Sequence, residues 1–230
     1  DVAEVVQGVI RHIEDKSDAD VAYSTAGEHQ VTMGRGYVRI ITDYEDDDPL
    51  NMNQEVRIER VPNPFSIYMD PSSQKPDGSD ARYGFVVEDI PKDEYKFRYP
   101  HSEMAELAEF TSTGNDQPEW MPEGNIRIAE YFYVEEIREQ IVVVAMEDGS
   151  KHQLPRDAVD DLENLPNNMT LVAEREITRR EVKWALINAV EVLEGDELKV
   201  GGTMWPGKYI PLVPVLGDEI NINGVTDYRG

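Results

Sequence analysis

The apolar positions Val2, Val5, Val6, Val9, Ile10 and Ile13 recur at three- and four-residue spacing, which is the period of one helix face and predicts an amphipathic helix at the start of the chain. A second helix is expected after Ser17 or Asp18, either of which can cap free main-chain amides. It carries Val21, Ala22, Ala26 and Met33 and stops at Gly34 and Gly36. The period then changes. YVRIITDY from Tyr37 reads as a strand, and QEVRIERV alternates Val56 and Ile58 with Arg57 and Glu59, so the two predict an antiparallel pair joined by the acidic loop EDDDPLNMN.

FSIYMD and YGFVVEDI read as further strands separated by the turn-rich PSSQKPDGSDAR. The first sits in NPFSIYMDP, where Asp70 is either an acid delivered to a site or the start of a turn. Pro71 disfavours helix at Asp70 and an Asp oxygen can accept from turn amides, while Pro62 and Pro64 do not suit a central ladder. The stretch is therefore expected to be a corner or edge strand, with Phe65, Ile67 or Tyr68 buried. PKDEYKFRY predicts a short helix with Pro91 in its first turn, and HSEMAELAEF a further one. Residues 111–124 read as a surface loop.

NIRIAEYFYVEEI and QIVVVAM follow as strand segments, Asp148-Gly149 as a tight hairpin turn, and residues 156–162 as a short helix. The segment starting REITRREVKWAL places Val182, Trp184 and Leu186 on one strand face. The class is α+β: N-terminal helices (residues 1–35) packed on a mostly antiparallel, β-rich region (residues 36–230). Asp1 without a preceding Met and the terminal Gly230 make the chain read as excised from a longer one.

Composition narrows the function classes. The chain has 230 residues, 47 acidic against 22 basic, for a formal charge of −25, which disfavours nonspecific attraction to nucleic acid or an anionic membrane. Arg57, Arg60, Arg179 and Arg180 alternate with glutamates and read as solvated strand faces. Cysteine is absent, which removes disulfides and thiolate metal sites and points to a reducing compartment. No apolar run is long enough to span a membrane.

The search for chemistry is unproductive. Abundant carboxylates suggest an acid hydrolase, but nothing in the sequence brings two acids into one cleft. Counted from Asp43, the EF-hand pattern meets Asp48 where Gly belongs and Gln54 where Glu belongs, so the acidic run reads as a solvated loop. His12, His29, His101 and His152 have no zinc-helix spacing, and Gly34-Arg35-Gly36 lies between helix and strand, the reverse of a phosphate loop. Neither a catalytic, a metal nor a cofactor-binding residue is assigned. Trp184 reads as core, and Tyr131, Phe132 and Tyr133 read as residues that could line a ligand surface. Trp120 and Trp205, in Pro- and Gly-rich loops, read either as loop anchors or as contacts with another chain. Together with Tyr209 they are the candidate subunit or partner contacts.

Five segments taken together resemble one family. They are IRHIEDKSDADVAYSTAGEHQVTMGRGYVRIITDYEDDD (Ile10 to Asp48), VRIERVPNPFSIYMDP (Val56 to Pro71), KPDGSDARYGFVVEDIPKDEYKFRYP (Lys75 to Pro100), ITRREVKW (Ile177 to Trp184) and WPGKYIPLVPVLGDEININGV (Trp205 to Val225). In that order they resemble the portal proteins of short-tailed, double-stranded DNA phages. The resemblance covers the N-terminal, wing-like part of such a protein. It implies a homo-oligomeric ring, typically a dodecamer, at one capsid vertex, with terminase, capsid or scaffold, and tail proteins as partners. It further implies passage of double-stranded DNA without sequence-specific binding, no membrane, no cofactor and no bond chemistry. The expected location is the virion, after assembly in the bacterial cytoplasm. The rivals are another phage binding module and, behind it, an Asp/Glu-dependent hydrolase.

Overall fold

The computed structural model describes residues 2–44, 52–103, 122–146, 148–156, 169–195, 203–222 and 225–230, with Glu123, Met169, Thr203, Ile222, Val225 and Thr226 described in their backbone alone. Two helices lead, α1 (Val2–Lys16) and α2 (Ala19–Met33). Strands β1 (Arg35–Tyr44) and β2 (Gln54–Arg60) form the expected antiparallel pair, Ile40 opposite Ile58 and Thr42 opposite Val56. A one-turn 3-10 helix, Pro64–Ser66, leads into the short β3 (Ile67–Met69), and β4 (Tyr83–Pro91) runs into α3 (Lys92–Arg98). Then come the long β5 (Asn125–Met146), β6 (Lys151–Pro155), the long β7 (Met169–Ile187), β8 (Val192–Glu194), β9 (Thr203–Trp205), β10 (Leu212–Leu216), β11 (Asp218–Ile222) and β12 (Val225–Arg229).

Among the described residues every strand pairing is antiparallel, so the α+β expectation holds. One sheet has the order β10-β1-β2 and a second the order β3-β4-β5-β7-β8, with β6 beside β5 and β9 beside β7, while β11 and β12 make a separate hairpin. The two sheets meet in the largest core. Tyr37 and Leu212 from the first pack with Ile67, Phe132 and Val182 from the second, joined by Val61, Ala81 and Ile210. Phe132 is fully buried there, so truncation to alanine is worth about 3–5 kcal/mol. At one end of the second sheet α3 inserts Tyr95 against Ile90, Ile126, Ile128 and Leu186. Val182 and Leu186 lie in these two cores and Trp184 packs against both, which matches the alternation expected for REVKWAL.

Helix α2 is laid on the opposite side of the first sheet by small residues. Ala22 and Ala26 pack on Val38, Ile58 and Val215. The approach is close enough that a Cβ on Gly36 would clash with the Ala26 carbonyl, so this position admits only glycine. Gly34 caps the helix at φ 80°, its N–H bonded to the Gln30 carbonyl. A Cβ there would meet the Tyr228 carbonyl of β12, so the C-terminal hairpin closes on the helix end. Gly34 thus stops the helix as expected, while Gly36 belongs to the strand and serves contact rather than termination.

Several local expectations are corrected. Neither Ser17 nor Asp18 caps α2 through its side chain: Asp18 takes a left-handed conformation without a cap bond, and the Ser17 hydroxyl instead donates to the Ile13 carbonyl and accepts from Ile58 N–H. Pro91 ends β4 and precedes α3 rather than standing in its first turn, because its extended ψ of 141° continues the strand. NIRIAEYFYVEEI and QIVVVAM are one continuous strand, since β7 pairs with it from Ala129 to Met146. Asp148-Gly149 makes the expected turn, with Met146 N–H bonded to the Ser150 carbonyl. The helix expectations for residues 104–110 and 157–162 lie outside the described residues, as does most of the loop at 111–124.

The amphipathic helix α1 is present, yet it buries no residue, and Val2, Val5, Val6, Val9 and Ile10 all stand exposed. Its described anchors are at the C-terminal end: Lys16 to Glu55 at 2.5 Å, Ser17 to Ile58 and Tyr23 to Glu14 at 3.1 Å.

Candidate contact surface

NPFSIYMDP is the corner that its prolines suggest. Strand β3 is the edge of the second sheet, and Asn63 caps the 3-10 turn by accepting from Phe65 N–H. Of the three side chains expected inside, only Ile67 is buried; Phe65 and Tyr68 are exposed, because the 3-10 turn and the strand pleat send them outward. Asp70 is buried and starts a turn. Its Oδ1 accepts from Ser72 N–H at 2.8 Å and its Oδ2 from Arg82 N–H at 3.0 Å.

Burial alone would raise the Asp70 pKa, but these two amides outweigh it and hold the carboxyl below its usual range. Further along the loop Asp80 accepts from the Ser73 hydroxyl and from Gln74 and Lys75 N–H. The Ser73 bond is the leading cause that pulls its pKa down to about 2. Both acids are therefore occupied in folding the loop from residue 70 to 82. A cleft of about 920 Å³ lies beside this loop, between Arg35, Tyr37, Tyr68, Asp70 and Tyr228. A general acid would need a raised pKa there, and the Asp70 shift runs the other way.

A second polar cluster joins α3 to the turn after β7. Asn188 Nδ2 donates to Tyr95 Oη at 2.7 Å, Tyr95 Oη and Ser102 Oγ are 2.7 Å apart, and Ser102 Oγ donates to Glu191 at 2.5 Å. Asn188 Oδ1 accepts from Val190 and Glu191 N–H, which fixes the turn. All of these groups are bonded to one another, as buried polar groups must be. The arginine clusters are likewise engaged: Arg57 with Glu55 and Asp43, Arg179 with Glu139 and Glu181, and Arg180 with the Ser79 and Ala81 carbonyls.

The candidate contacts are placed unequally. Trp120 lies outside the described residues, as does the acidic run at 45–48. Trp205 is half-buried and anchors its loop: it pairs with Val182 across β9 and β7, and its ring stands edge-on to Phe132 at 6.0 Å. The Trp184 indole donates to Glu130 at 3.0 Å, and Glu130 also takes two bonds from Arg39 at 2.7 Å, which ties β5 to β1. Tyr209 is exposed. It borders a second groove, of about 690 Å³, between β1, β2, the loop of residues 75–79 and the segment from Trp205 to Pro211.

Sequence reasoning reached Trp205 and Tyr209 but not Ile40, Val56 or Lys75 across the groove, since only the fold brings these distant segments together. Of the three aromatics expected at a ligand surface, Phe132 is core while Tyr131 and Tyr133 belong to an aromatic row on the second sheet whose other members, Tyr83 and Phe85, sequence reasoning missed. Phe85 stacks on Tyr131 at 4.6 Å, Tyr131 on Tyr133 at 5.0 Å, and Tyr83 meets Phe85 edge-on at 6.0 Å. The period-2 alternation of β4 and β5 carries a signal for it, which becomes readable once the register Phe85 to Tyr131 is known.

Among the described residues, two antiparallel sheets share a core, Asp70 and Asp80 are bonded within one loop, exposed tyrosines border the grooves, and the apolar face of α1 is exposed. The Phage P22-like portal protein model matches residues 1–230, and the chain belongs to that family. It is 26% identical over 231 residues to the portal protein of Acyrthosiphon pisum secondary endosymbiont phage 1, an alignment covering 100% of this chain and 31% of that relative. The chain thus spans about a third of the length of the curated relative it matches.

Proposed function

We propose that the chain is wing material of a phage portal subunit. In this reading the helical lead (residues 1–35) and the β-rich body (residues 36–230) form part of a ring, a dodecamer, at one capsid vertex, through which DNA is packaged and ejected and to which the tail attaches. The observation that carries the reading is the family match along residues 1–230. Its partners are further copies of itself, the terminase, capsid or scaffold proteins and tail proteins, with Trp120, Trp205 and Tyr209 as contact residues. The location is the virion, after assembly in the host cytoplasm.

The physical features are those of a structural part. An apolar helix face that the described residues leave open suits a subunit whose burial is completed by assembly. A charge of −25 suits a conduit component that does not grip DNA, since cationic walls would hold it through counterion release. The chain performs no bond chemistry in this reading, and the ATPase belongs to the terminase. Electron microscopy of the full-length product tests it: closed rings of about a dozen subunits with an axial hole are expected. Monomers or open filaments of the full-length protein would overturn it.

A further inference from the structure

The groove bordered by Tyr209 is lined by the apolar side chains of Ile40, Val56, Val213 and Trp205, and Lys75 and Lys208 stand among them in a chain of net charge −25. The acid among its described lining residues is Asp77, whose Oδ1 accepts from Ser79 N–H at 3.0 Å within its own turn and whose charge is also felt by the neighbouring Lys75 ammonium. Val56, Val213 and Tyr209 are 43%, 37% and 55% exposed, so these apolar side chains are displayed rather than packed away. At about 690 Å³ the groove falls within the range of about 300–1,000 Å³ in which proteins hold ligand-sized groups.

We propose that this groove binds an extended acidic peptide segment of a partner protein. The segment's aliphatic side chains lie against Ile40, Val56, Val213 and Tyr209, and its carboxylates meet the ammonium groups of Lys75 and Lys208. The charge pattern selects the occupant. A basic segment would meet two like charges here and be drawn to the acidic remainder of the surface, whereas an acidic one meets opposite charge at this groove. Nucleic acid fits less well. Tyr209 is the exposed aromatic ring among the groove's described lining residues and the Trp205 ring is already engaged edge-on by Phe132, so successive bases would find a single stacking platform.

The proposal specifies the contact role given above to Tyr209 and rests on that reading for the partner's origin. Its test is independent of ring formation, because it is read on the 230-residue chain. The probe is a fluorescein-labelled synthetic decapeptide in which leucines alternate with glutamates, compared with the same peptide carrying lysines for glutamates, by fluorescence anisotropy. The glutamate peptide is expected to bind, and the paired substitution Lys75→Glu with Lys208→Glu to weaken it by about tenfold or more. Tyr209→Ala is expected to weaken it several-fold, while Lys151→Glu on exposed β6 leaves it unchanged. Lys75, Lys208 and Tyr209 are exposed, so the variants should keep the parent's thermal midpoint and circular dichroism. Equal binding of the lysine peptide, insensitivity to the paired lysine substitution, or displacement by an equal concentration of a single-stranded oligonucleotide would overturn the proposal.

Discussion

The two leading helices invert the usual relation between pattern and burial. α1 carries the clear amphipathic stripe and buries nothing, whereas α2, whose apolar residues are scattered around its circumference, is the one locked into the fold. Size explains the difference. α2 approaches β1 through Ala22, Ala26 and Gly36, and small residues permit contact that a stripe of valines would prevent. A hydrophobic stripe reports that a face will be buried somewhere, without saying by which chain.

The contrast breaks most sharply at the glycine seam. Gly36→Val forces a branched side chain into the Ala26 carbonyl and should remove about 3 kcal/mol or more of stability, measured by urea denaturation. Ala26→Leu, fully buried against Val38, should cost about 1–3 kcal/mol by the same measurement. Asp70→Asn, which removes a charged acceptor from two main-chain amides, should cost about 1.5–3 kcal/mol.

Acid titration sharpens the account of the loop. The folded-state pKa values of Asp70 and Asp80 are depressed, so their contribution is complete above the unfolded-state value of about 3.9 and is lost as pH falls through the folded value. For Asp80 that window closes at about 2. Asp80→Asn should therefore flatten the decline of the thermal midpoint between about pH 4 and pH 2 while the parent falls steeply. The smallest effect belongs to α1. Val5→Ser with Val6→Ser should change the stability of the chain by no more than about 0.5 kcal/mol, because neither side chain is buried.

Local patterns were legible wherever one segment determines its own state. The alternation of β1 and β2, the Asp148-Gly149 turn and the corner at Asp70 could all be read directly, as could the shared face of Val182, Trp184 and Leu186. What failed needed a partner from elsewhere. The Ser17 hydroxyl is drawn to Ile58 instead of the next helix, and Gly36 faces a helix carbonyl instead of ending the helix. Tyr68 points out because its strand is an edge with the core on one side. The candidate site shows the same limit. Trp205, Lys208 and Tyr209 stand together in a Pro- and Gly-rich loop, but Lys75, Val56 and Val213, which complete the groove, come from three other segments.

Hydrogen exchange of α1 in two states, the 230-residue chain and the full-length assembled protein, tests the central claim most directly. The claim is that α2 is completed by its own chain and α1 by assembly. In the isolated chain the amides of α2 should exchange only on global unfolding and those of α1 by local opening at little free-energy cost. In the assembled ring α1 should become protected to a degree comparable with α2. Equal protection of both helices in the isolated chain, or an α1 that exchanges as fast in the ring as outside it, would contradict the account.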